Sequence, residues 1–203
     1  MRIIDMNIND FLHKSPANLD PKAGELLLSE PMLTDPNFRR SAILILDRDR
    51  DGGQLGLIMN HRIDASVANL IDGWPGTENM PLFNGGPVEL DRLFMLHRLG
   101  DIIDNSQELM PGLWTGGDLD QLRDYIADGN PTEGLIRFFF GYSGWGKGQL
   151  TSEIIQNSWG VNTNPDVAEI LTGSGEQYWR REVSRLGDSY RSWLSIPQHP
   201  SLN

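Results

Sequence analysis

The sequence predicts an α/β protein of the α+β type, a mixed sheet with helices packed around it. Three observations carry this. Strand-sized apolar runs recur along the chain, none longer than the five residues 42–46. Turn signals such as Asp51-Gly52-Gly53 return the early strands as hairpins, because glycine accepts the positive φ of a tight turn. Amphipathic helical stretches interleave irregularly with the strands, which argues against a regular parallel βαβ wind.

Taken in order, residues 1–23 read as an N-terminal extension, with a short amphipathic stretch (Ile8, Phe11, Leu12) followed by Ser15-Pro16 and Asp20-Pro21 breakers. Residues 24–203 read as one domain. Strands are expected over 25–29, 41–47, 55–60, 81–84, 90–97 and 135–140. Asp64 suits the N-cap of a short helix running to Ile71. Residues 118–128 form the clearest amphipathic helix, with Leu119, Leu122 and Ile126 inward and Asp120, Asp124 and Asp128 outward. Further helices are expected over 149–157, 165–171 and 176–186, the last with Trp179, Val183 and Leu186 on one face. The glycine-rich segment Gly141 to Gly148 reads as a strand-to-helix turn, in which Gly144 takes a strained φ and Trp145 packs on the sheet.

Composition excludes several classes. The 203 residues contain no cysteine, hence no disulfide framework, thiolate nucleophile or cysteine-ligated metal. A cysteine-free chain fits a reducing compartment, and residues 1–15 lack the basic start and apolar run of a secretion signal, so a cytoplasmic location is expected. No run is long enough to span a bilayer. The net charge of −11 opposes phosphate backbones. Residues 99–135 hold eight carboxylates against the single cation Arg123, and Arg180, Arg181, Arg185 and Arg191 are interleaved with Glu176, Glu182 and Asp188. Direct nucleic-acid binding is therefore not expected.

Chemical motifs are near misses. Gly141-x-x-x-x-Gly146-Lys147 has P-loop spacing, but Gly148 stands where Mg²⁺ needs a hydroxyl, and Tyr142 and Trp145 crowd the loop. Ser143 sits at a strand-to-helix turn like a nucleophile elbow, with His97 beside Asp91 or Asp101 as the candidate base. Asp47, Asp49 and Asp51 match half a calcium loop, yet Ile58 replaces the bidentate acid. No histidine pair has metal-helix spacing; His13 and His199 lie near the ends, and His61 follows Asn60 at a strand end. Neither a metal nor a cofactor is expected.

Several blocks, in order, resemble the bacterial AlgH (YqgE) family. They are Gly24-Glu-Leu-Leu-Leu-Ser-Glu-Pro31, Asp35-Pro-Asn-Phe38, Gly56-Leu-Ile-Met-Asn60, Pro81-Leu-Phe-Asn-Gly-Gly-Pro-Val88, Leu93-Phe-Met-Leu-His97 and Arg137-Phe-Phe-Phe-Gly-Tyr-Ser-Gly-Trp-Gly146. The resemblance covers about residues 24–190. It implies a mixed, bifurcated sheet rolled into a pseudo-barrel with surrounding helices, no established enzymatic activity, and a transcriptional-regulator label that the charge does not support as direct operator binding.

The sequence thus leads to a non-enzymatic regulatory or protein-interaction domain, with a protein partner and no catalytic residues. A second reading is a small-molecule or nucleotide-binding domain, with an enzyme as one form of it. Its pocket would lie between the Gly85-Gly86 turn and the Gly141 to Gly148 segment, with Asn60, His97, Tyr142, Ser143, Trp145 and Lys147 around it. Nothing in the sequence fixes oligomeric state.

Overall fold

The computed structural model describes residues 19–48, 51–69, 71 and 73–197. Ile8, Phe11, Leu12, His13, Asp49 and His199 lie outside the described residues.

Ten strands form one curled sheet: β1 (Leu26–Ser29), β2 (Ala42–Arg48), β3 (Gln54–Ile58), β4 (Arg62–Ser66), β5 (Pro81–Asn84), β6 (Val88–His97), β7 (Ser106–Met110), β8 (Leu113–Gly116), β9 (Ile136–Trp145) and β10 (Trp159–Asn162). The main path runs β10-β1-β2-β3-β9-β6-β8-β7, with β4 and β5 branching from it. The branch point is β9. One of its edges bonds β6; the other is shared between β5, parallel through Phe138, Phe139 and Phe140, and β3, antiparallel through Ser143, Gly144 and Trp145. The sheet is thus the expected mixed, bifurcated half-barrel, antiparallel apart from the β5–β9 pair.

Side-chain alternation along the strands separates three cores. Leu44 and Leu46 of β2, Leu57 of β3 and Phe139 of β9 point to the inner face, closed by Trp179, Val183 and Trp193 from helices α4 (Gly175–Arg185) and α5 (Arg191–Ser195). Ile43, Ile45 and Ile58 point outward beneath Leu150 and Ile154 of α2 (Gln149–Ile155). Leu82, Met95 and Phe138 meet Leu122 and Ile126 of α1 (Leu119–Ala127). A last helix, α3 (Val167–Thr172), starts at Asp166, whose carboxylate accepts from the Ala168 and Glu169 amides.

Some expectations need correction. Asp64 begins no helix: Arg62 to Ser66 is β4, paired with β5, and a single 3-10 turn (Val67–Asn69) follows. Alternating burial along β4 and a cross-strand partner outweigh the capping preference of one aspartate. The segment after Phe140 is not a turn, because β9 continues through Gly141 and Gly144 to Trp145. Gly144 does not have positive φ; Gly141 does, at +66°. Leu119, expected inward on α1, is 52% exposed. The β7–β8 hairpin and β10 were not anticipated.

Candidate functional site

The glycine-rich blocks meet at the fork of the sheet. Gly85 donates to the Phe140 carbonyl at 2.7 Å, and its own carbonyl accepts from the Ile58 amide at 2.9 Å. The Ser143 hydroxyl donates to the same carbonyl at 3.1 Å. A Cβ on Gly141 would lie 2.5 Å from the Gly86 oxygen, and one on Gly86 would run into the backbone of Tyr142 and Ser143. Backbone therefore fills the space between these two blocks.

The structure brings Gly85, Gly86, Tyr142 and Ser143 together at this junction and leaves the other named residues elsewhere. Tyr142 is half-buried, its ring edge-on to Phe94 at 5.8 Å. Trp145 is buried beside Phe38 and Trp159, and Glu153 accepts from both indole N–H groups, at 2.9 and 2.8 Å. Lys147 is exposed beyond the end of β9. Asn60 ties three segments: it accepts from the Ala42 amide at 2.9 Å and donates to the carbonyls of Arg40 and Gly175 at 2.9 and 3.1 Å.

His97 pairs with Ile136 in the β6–β9 ladder, seven residues along β9 from Ser143, a separation of roughly 20 Å at strand rise. The two cannot act as base and nucleophile in this fold. The Leu99 amide donates to Nδ1 of His97 at 3.2 Å, so the proton sits on Nε2, which donates to the Gly116 carbonyl at 3.0 Å. Burial lowers the imidazole pKa below its ordinary value; the Gly116 carbonyl opposes this without overcoming it. His97 is a neutral clasp between β6 and β8.

Among the described residues no three His, Asp or Glu side chains are grouped to hold a metal ion, and no helix is long and apolar enough to cross a membrane.

A cleft of about 490 Å³ lies open between the ends of β2 and β3 and the sheet of β6, β8 and β7. Leu46, Leu55, Leu93 and Phe94 give it an apolar floor, and exposed Leu119 marks its rim. Arg92 lines it too, but its charge is engaged by Glu89 at 3.1 Å and by the Phe94 ring at 4.8 Å. Exposed Asp47 is the one carboxylate among its lining residues. The apolar floor comes from strands widely separated in the chain and had no local signal in the sequence.

A curled, forked sheet with helices on both faces, and polar motifs consumed in its backbone, defines an AlgH-like fold. The AlgH-like family model (DUF179) matches residues 26–191. A UPF0301 protein of Bacteroides thetaiotaomicron is 38% identical over 199 residues, covering 98% of this chain and 100% of that one. One from Chlorobaculum tepidum is 36% identical over 182 residues, covering 90% and 96%. The chain belongs to the AlgH-like family. The solution structure of AlgH from Pseudomonas aeruginosa matches with a TM-score of 0.67 at 26% identity, covering 93% of this chain and 99% of that one. A Corynebacterium diphtheriae crystal structure shares the fold, with a TM-score of 0.71 at 22% identity over 94% and 98% of the two chains.

Proposed function

We propose that this chain is a cytoplasmic, non-enzymatic regulatory domain that works by holding a protein partner. The observation that carries the reading is how its polar groups are used. Ser143, Asn60 and His97 are bonded to backbone, whereas an apolar cleft with Asp47 among its lining residues lies open in a chain of net charge −11. Such a cleft suits a basic segment that also offers an apolar side chain, since charge steers the encounter and buried apolar area holds the complex. Any influence on transcription then runs through that partner, because the arginines of α4 are engaged by Glu169, Glu176 and Glu182 and offer no free cationic face.

The test is affinity for the partner recovered by cross-linking in the native host, measured for wild type, Leu119→Glu and Asp47→Lys at two salt concentrations. Binding should weaken roughly tenfold or more in Leu119→Glu, and wild-type affinity should fall with salt. A partner bound equally by all three proteins, or with no salt dependence, removes the reading.

A further inference from the structure

Three charged side chains are buried among the described residues: Arg40, Arg137 and Glu182. Two have an opposite charge beside them, since Arg40 pairs with Glu176 and Glu182 with Arg185. Arg137 has no such counterpart among the described residues. Its Nη1 and Nη2 donate to the carbonyls of Ile170 and Gly173 at 2.6 and 2.7 Å, at the C-terminal end of α3. Its Nε, also buried, has no hydrogen-bond partner. Burial lowers its pKa to about 9, which leaves it cationic at neutral pH. Two helix-end carbonyls and an aromatic face compensate a buried cation only in part. A whole counter-charge is what such a group lacks.

The neighbourhood is built around that guanidinium. Arg137 and Phe139 share one face of β9, Phe83 of β5 pairs with Phe139, and Arg62 of β4 pairs with Phe83. The Arg137 guanidinium stacks on Phe83 at 3.6 Å from the ring centre. A cavity of about 510 Å³ opens here, lined by Arg62 and Arg137, with Phe83 and Leu171 as apolar wall. Glu133, exposed, is the one carboxylate among its lining residues.

We infer that this cavity binds the oxyanion of a small molecule, a carboxylate or phosphate group, between buried Arg137 and exposed Arg62, with Phe83 against the apolar part. A planar guanidinium presents its donors in the geometry of such oxygens, and the ligand would supply the missing counter-charge. Glu133 selects against highly charged anions by repulsion. The site is separate from the β2–β3–β6 cleft, so its success or failure leaves the protein-partner reading standing.

The test uses the full chain labelled with ¹⁵N. The arginine Nε–H resonances and the melting temperature are followed while sodium phosphate, acetate or benzoate replaces chloride at equal ionic strength. A saturable shift of the Arg137 Nε resonance with phosphate alone assigns a phosphate ligand; one with acetate and benzoate assigns a carboxylate. Arg137→Gln would also remove two bonds that hold α3, so the exposed positions carry the comparison. Arg62→Gln should weaken binding roughly tenfold without lowering the unliganded melting temperature, and Glu133→Gln should tighten it. An Arg137 resonance that ignores all three oxyanions overturns the inference, and so does equal affinity in Arg62→Gln. The guanidinium would then serve only to close the end of α3.

Discussion

Gly141→Ala tests whether the sheet fork depends on backbone-to-backbone contact. Gly141 has φ +66°, where an L-residue costs about 1–2 kcal/mol. Its new Cβ would also sit 2.5 Å from the Gly86 oxygen and 3.0 Å from the Val88 oxygen. Those are backbone atoms of the β5–β6 connection and of β6 and cannot rotate aside, so an overpacking cost of about 1–3 kcal/mol adds. Together these give about 2–5 kcal/mol, and at about 2–4 °C per kcal/mol for a chain of this size the melting temperature should drop by roughly 10 °C. Gly144 lies three residues along the same strand. It is exposed, has no positive φ, and a Cβ there meets the Tyr142 ring edge at 3.2 Å. Because the ring can shift and alanine suits a strand better than glycine, Gly144→Ala should move the melting temperature by no more than about 2 °C. Parallel thermal and urea unfolding of both variants, followed by tryptophan fluorescence, decides the matter. Equal stabilities would refute the argument that the fork requires glycine.

Glu153→Ala strands two buried indole donors, Trp145 and Trp159, and should cost about 2–4 kcal/mol with a change in tryptophan emission; an unchanged emission and melting temperature would contradict it. His97 is held below its ordinary pKa, so its contribution to stability is complete above the unfolded value of about 6.5 and is lost as pH falls through the lower folded value. The melting temperature should therefore decline below pH 6.5, less steeply in His97→Gln; a wild type that gains stability on acidification in that range would reverse the sign. Labelled duplex DNA titrated at low salt should show no sub-micromolar binding, since Arg181 and Arg185 lie 3.2 and 2.6 Å from Glu169. Tight binding with a steep salt slope would show that the paired arginines release their partners for phosphate.

Strands β1, β2 and β3, with dense branched or leucine-rich runs, were legible because the signal is local and both faces are largely buried. Strands β5 and β6 were legible from their apolar stretches Leu82-Phe83 and Leu93 to Leu96. Helix α1 was legible through its apolar stripe, of which Leu122 and Ile126 are buried, and the structure adds a cap at Asp118, whose carboxylate accepts from the Asp120 and Gln121 amides. The tail of β9 was not legible. Glycines usually weaken a strand, and only a neighbouring backbone at contact distance explains them here. Strand β10 was missed because its four residues are fixed by pairing with β1, far earlier in the chain, as in Ser29 with Trp159 and Leu26 with Asn162. The net negative charge could be read from composition, but the apolar cleft could not. Arg137 did leave a trace: an arginine inside Ile136–Phe140, a run otherwise apolar, asks what satisfies it.

The sharing of β9 among three strands has a consequence for synthesis on the ribosome. Strands β3, β5 and β6 leave the tunnel with open edges and are joined only when Ile136 to Trp145 follows. From the end of β3 at Ile58 to the end of β9 lie nearly ninety residues, several seconds of translation at about 5–20 residues per second. Strand β1 waits longer still for β10. A nascent chain stalled before Ile136 would therefore present several unpaired, apolar strand edges at once. Such a species invites chaperone capture or aggregation, whereas the finished chain closes those edges through one late-arriving strand.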